Sequence, residues 1–138
     1  MTLIQWNGDL SVNVTEIDAQ HRHLIGLIND LNEAMREGRG KRIVGEIIAG
    51  LVAYTATHFA TEEGYLRRHG YPGTDDHARE HREFTVRVAG FRKGFEEGRL
   101  GLSVSVMNFL GVWLRDHILG SDKKYAAVLN APGIQPGV

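Results

Sequence analysis

Apolar residues recur along this chain at helical spacing. Ile17, His21, Leu24, Ile28, Leu31 and Met35 step by four or three and stop at Gly38-Arg39-Gly40, a helix-ending signal. Asp18 is the expected N-cap of this first helix. A second pattern runs from about Lys41 to His69, with Leu51, Thr55, His58, Glu62 and Leu66 on one stripe. Gly70 then stands as its terminator and Tyr71-Pro72-Gly73 as a turn. A third begins after Thr74 or Asp75 and repeats His77, His81, Phe84, Val88, Phe91 and Phe95 at the spacing of a bundle seam, ending at Gly98. Ser103 is the expected cap of a fourth, with Val106, Leu110, Trp113 and His117 on one face and a break near Gly120.

Four helices joined by short connections predict an all-α fold, an antiparallel up-down-up-down four-helix bundle. One domain spans residues 1–138: an extended N-terminal arm over 1–17, the bundle over about 18–126, and a Pro/Gly-rich tail over about 127–138. Val12 and Val14 alternate within the arm. No second strand exists for them to pair with, so the arm is expected to pack along the bundle.

The apolar stripes are interrupted by potential metal ligands. His21 lies on the first stripe, His58 and Glu62 on the second, His77 and His81 on the third, and His117 on the fourth, with Asp122 five residues later. Residues four apart diverge by only ~40° around a helix, so each i,i+4 pair can grip one centre. His117 and Asp122 diverge by ~140° on a regular helix. Their convergence requires a π-type irregularity around Gly120. Burying five imidazoles and two carboxylates in a small bundle is costly unless a cation compensates them. The other two histidines fit elsewhere. His23 lies ~200° around from His21 and should face out. His69 lies roughly 16 Å beyond His58 and suits a helix C-terminus. Glu63 is expected on a solvated face or beside a ligand, and Arg79, Arg82 and Arg87 on the surface.

Composition narrows the chemistry. The formal net charge is -1, which argues against a nucleic-acid partner. There is no cysteine, so thiolate metal sites, iron–sulfur clusters and a cysteine nucleophile are excluded. The N-terminus lacks a signal-peptide pattern, no apolar run suggests membrane insertion, and a cytoplasmic location is expected. Seven donors exceed the four that one zinc takes. They suit two six-coordinate metals sharing bridging carboxylates. Imidazole plus carboxylate fits iron first, ahead of zinc, copper or manganese. No Glu-x-x-His motif of a carboxylate-rich di-iron protein and no His-Glu-x-x-His motif of a zinc protease is present.

The chain resembles the hemerythrins, in particular their single-domain bacterial form. The elements that carry the resemblance are Trp6 and Ile17-Asp18-x-Gln20-His21-x-x-Leu24, then His58-Phe59-x-x-Glu62-Glu63 and Tyr71-Pro72. His77-x-x-x-His81-x-x-Phe84 and Trp113-Leu114-x-x-His117-Ile118-x-x-x-Asp122-x-x-Tyr125 complete them. Leu66 departs from the methionine that many bacterial members carry there, which affects no ligand. The resemblance implies two iron ions (Fe2+/Fe3+) with an oxo or hydroxo bridge. His77, His81 and His117 would bind one and His21 and His58 the other, with Glu62 and Asp122 bridging. It further implies reversible dioxygen binding at the iron with fewer histidines, in an apolar pocket of Leu24, Phe59, Trp113, Leu114 and Ile118. The function expected is oxygen carriage, storage or delivery by a monomeric non-enzyme, with an oxygen-consuming enzyme as recipient. The alternatives are an oxygen or redox sensor acting through a partner, and a di-iron peroxidase or oxidase.

Overall fold

The computed structural model describes residues 4–98 and 104–130, the side chains of 104–106 excepted. Helix α1 spans Thr15–Arg36, α2 Lys41–Arg68 and α3 Thr74–Glu96. The fourth bundle helix begins as α4, Val104–Asp116. It passes through a π-helical turn, His117–Asp122, and ends as α5, Lys123–Leu129. The sequence expectation of four bundle helices holds, and so does the irregularity around Gly120. Glycines in the left-handed conformation end the first three helices, at Gly38, Gly70 and Gly98, with φ of 65°, 64° and 71°. L side chains avoid this region, and glycine enters it without strain.

α1 packs on α2, α2 on α3, and α4 closes the bundle against α1. α2 is by length and composition apolar enough to cross a bilayer, which the sequence reading did not anticipate. In the bundle, however, its buried residues include Thr55, His58 and Glu62. Two apolar clusters flank a polar layer. The larger contains Leu24, Ile28, Leu51, Phe84, Leu110 and Leu114. The smaller is an end plug of Val12, Val14, Ile17, Leu66, Tyr125 and Leu129.

The ends of the bundle differ from expectation in three places. α1 starts at Thr15, with Val14 at the N-cap position and no side-chain cap. Asp18 is therefore not the cap. Its carboxylate reaches back to accept from the Val12 N–H at 2.8 Å and from the Ser11 hydroxyl, tying the arm to the first helical turn, where negative charge is favoured. The arm also ends sooner than expected, because Val12 and Val14 are fully buried in the plug and set the helix start. Finally, α5 continues to Leu129 rather than fraying at 127. Tyr125 and Leu129 bury against the arm, and Asn130 Nδ2 and Lys123 Nζ donate to the Val12 and Ser11 carbonyls at 2.8 and 2.6 Å. The expected Ser103 cap, the Val106 side chain and residues 131–138 lie outside the described residues.

Candidate metal centre

Each bundle helix delivers donors to the polar layer. α1 supplies His21. α2 and α3 supply His58/Glu62 and His77/His81, each pair one turn apart. His117 and Asp122 stand at the two ends of the π-helical turn. That turn closes i to i+5, so residues five apart face the same way. All seven side chains are buried, His117 the least at 5% exposure.

Their atoms form two overlapping sets: Glu62, His77, His81 and His117, and His21, His58 and Glu62. Glu62 Oε1 lies 2.6 and 2.8 Å from the Nε2 atoms of His77 and His81. Its Oε2 lies 3.5 Å from the Nε2 atoms of His21 and His58. Asp122 repeats the division, with Oδ1 2.9 and 3.1 Å from His77 and His117 and Oδ2 3.1 Å from His21. Each carboxylate thus offers one oxygen to a three-histidine group and the other to a two-histidine group.

This donor set fits metal ions. Both Asp122 oxygens and both His21 ring nitrogens are buried with no well-directed hydrogen bond, although Asp122 lies within 3.1 Å of three imidazole nitrogens, a close approach aimed past the N–H directions. Such orphaned groups are rare in native interiors unless an ion or water completes them. His81 Nε2 faces His117 Nε2 at 3.1 Å, while both rings direct Nδ1 at carboxylates. Two facing lone pairs at that distance require a cation or a proton between them.

In the metal-free chain protons take that part. Burial by itself lowers the affinity of His21, His77 and His117 for protons. The adjacent Asp122 and Glu62 carboxylates outweigh it and raise these imidazoles to about 9, 9 and 10. Burial drives His58 down to about 4, against the pull of Glu62. Burial opposes ionisation of Glu62 and Asp122 too, but the surrounding histidines hold both below the usual carboxylate range.

A further ring of residues orients the imidazoles. His58 Nδ1–H donates to Gln20 Oε1 at 2.8 Å, His81 Nδ1–H to Glu63 Oε2 at 2.8 Å, and His117 Nδ1–H to Glu80 Oε1 at 3.0 Å. Gln20 is in turn fixed by donating to Thr61 Oγ1. Glu80 also accepts from the Ser121 hydroxyl at 2.7 Å. Tyr125 donates to Glu62 Oε2 at 2.8 Å, and its burial, reinforced by the Asp122 and Glu62 carboxylates, raises its phenol well above the ordinary value. Sequence reasoning left Gln20, Glu80 and the role of Tyr125 unassigned and Glu63 open. The sequence shows only that Gln20, Glu63 and Glu80 each stand next to a site residue on their own helix; that each reaches the histidine of the following helix is visible in the structure alone.

The remaining sequence expectations place as follows. Leu24, Phe59, Leu114 and Ile118 are buried together in the larger cluster, with Trp113 packed against it. Phe59 stacks on His81, centroids 3.7 Å apart, and Trp113 on His117 at 4.5 Å. His23 is exposed and lies against the Tyr54 ring. His69 caps the end of α2, its Nδ1 2.9 Å from the Tyr65 carbonyl.

Fold and site together define a four-helix bundle with a buried histidine–carboxylate centre able to hold cations. The hemerythrin HHE cation binding domain family matches residues 12–129, and the chain belongs to that family. It is 38% identical over 131 residues to a bacteriohemerythrin of Stenotrophomonas maltophilia, covering 95% of this chain and 84% of that one. It is 29% identical to the bacteriohemerythrin of Methylococcus capsulatus, covering 95% and 100%. The crystal structure of a wild-type hemerythrin superposes with a TM-score of 0.88 at 28% identity, over 94% of this chain and 99% of that one.

Proposed function

We propose that this chain binds dioxygen reversibly at a non-haem di-iron centre, for oxygen carriage, storage or delivery. The observation that carries the reading is the division of Glu62 and Asp122, whose paired oxygens face a three-histidine group on one side and a two-histidine group on the other. In this reading His77, His81 and His117 would hold one iron and His21 and His58 the other, with Glu62 and Asp122 serving both. When bound, an iron pair would supply the redox chemistry that reversible dioxygen binding needs.

The protein's own part is to hold donors and exclude water. Gln20, Glu63 and Glu80 fix the tautomers of His58, His81 and His117, because each accepts at Nδ1 and leaves Nε2 for the metal. Tyr125 pins Glu62 from the plug side. Leu24, Phe59, Trp113, Leu114 and Ile118 form the apolar side and would keep water and outside protons from the site.

The test is a cycle. The iron-loaded protein is reduced without air, exposed to dioxygen, degassed and exposed again while its absorption spectrum is recorded. Two irons per chain and a charge-transfer band that comes and goes are expected. A chain that holds no iron would sink the proposal. Permanent oxidation with turnover of a reductant would replace it with an enzyme.

A further inference from the structure

The two groups of donors differ in number, three histidines against two, and they differ again in what stands behind them. Behind the three-histidine group, His81 and His117 each direct Nδ1–H at a carboxylate, Glu63 at 2.8 Å and Glu80 at 3.0 Å. Behind the two-histidine group, His58 directs Nδ1–H at the neutral amide of Gln20, and His21 Nδ1 is buried with no partner. Exposure runs the other way, so retention at the three-histidine position has to come from the strength of its donors and not from seclusion. His21 and His58 are sealed at 0% and 1%. Glu63 and His81 line a cleft of about 360 Å³ between α2 and α3. Glu80 and His117 line another of about 320 Å³ with Trp113 and Asp116.

A carboxylate behind an imidazole does two things that an amide does less well. It locks the ring with a charge-assisted hydrogen bond. It also polarises the N–H bond, so that electron density moves across the ring to Nε2 and strengthens that atom as a donor to a cation. We infer that Glu63 and Glu80 widen the inequality that three histidines against two begins, so that the three-histidine position keeps its metal and the two-histidine position gives its metal up first. The inference rests on the ligand assignment proposed above. Glu80 carries more of the effect than Glu63. The Glu63 carboxylate is shared with Arg67 at 3.3 Å, whereas the second partner of Glu80 is the uncharged Ser121.

The experiment follows iron leaving the fully loaded, reduced protein into an excess of a ferrous chelator under nitrogen. The wild-type chain should release one iron quickly and one slowly. His21→Ala should abolish the fast phase, which assigns it to the two-histidine position. Glu80→Gln keeps the shape and the acceptor but removes the charge, and should speed the slow phase by about tenfold or more, within the usual range for such outer partners. Glu63→Gln should act in the same direction and less. Both should leave the fast phase where it was. Gln20→Leu should speed the fast phase alone. Release of both irons in one phase from the wild type would overturn the inference. So would an unchanged slow phase in Glu80→Gln and Glu63→Gln, or equal acceleration of both phases, which marks general loosening. A wild-type chain that never holds two irons would instead overturn the ligand assignment itself.

Discussion

The apolar core and the polar layer beside it are built from the same four helices and stabilised in opposite ways. In the core, Leu31, Leu51, Leu110 and their neighbours are almost fully buried, and removal of apolar surface from water is sufficient reason for them to be there. In the layer, seven ionisable groups are equally buried. Burial opposes the charge of every one of them, and only mutual neutralisation or a bound cation offsets the cost. The core therefore favours the fold by itself, whereas the layer is favourable only when its charges are neutralised, by protons shared between histidines and carboxylates or by a bound cation. Hydrophobic packing and metal binding should respond separately to perturbation.

The largest expected separation comes from removing the metal. Chelation should lower the melting temperature strongly, since each ion contributes about 4 kcal/mol at a thousandfold excess over its dissociation constant. Calorimetry of loaded and stripped protein checks this, and equal melting would erase the contrast between layer and core. Next comes a cavity in the core. Leu51→Ala should cost roughly 2–5 kcal/mol in denaturant unfolding while two irons per chain remain by elemental analysis. His117→Ala should lose iron, and with it the stability the metal contributes, and His23→Ala should change neither iron content nor stability.

The pH response sharpens the comparison further. In the metal-free chain, His21, His77 and His117 are raised to about 9, 9 and 10. A group raised in the folded state contributes stability that is complete below its unfolded value near 6.5 and is lost as pH climbs through the folded value. The stripped protein should thus melt at progressively lower temperature from about pH 7 to pH 10. His58, lowered to about 4, acts with the opposite sign and costs stability as pH falls from 6.5 towards 4. The loaded protein should be flat across the alkaline range, because metal replaces those protons. An alkaline slope shared by both forms would place the titration outside the layer.

The smallest expected effect lies away from both regions. Gly50 and Gly90 are exposed within α2 and α3, and a Cβ at either meets nothing within 4 Å. Gly50→Ala and Gly90→Ala should each stabilise the chain by about 0.5–1 kcal/mol, in loaded and stripped forms alike.

Much of the site was legible because its donors lie on helices. Periodicity alone put His58/Glu62 and His77/His81 on inward stripes. The five-residue step from His117 to Asp122 could be reconciled with one centre only by the π-helical turn that the structure contains. Residues whose partners come from another helix were not legible. Asp18 looks like an N-cap by type and position, yet its acceptor atoms serve the arm, because burial of Val12 and Val14 brings the arm's N–H within reach.

By itself, the sequence determined the helices, their inward faces and the donor types converging in one layer, since 3.6-residue periodicity and the cost of burying charge are local or compositional facts. The tertiary structure alone decided that Gln20, Glu63 and Glu80 each stand behind the histidine of the next helix. It also decided that carboxylates back one half of the layer and a single amide the other. Such pairings depend on the rotation and offset of neighbouring helices, which packing of whole faces sets and no single stretch of chain encodes.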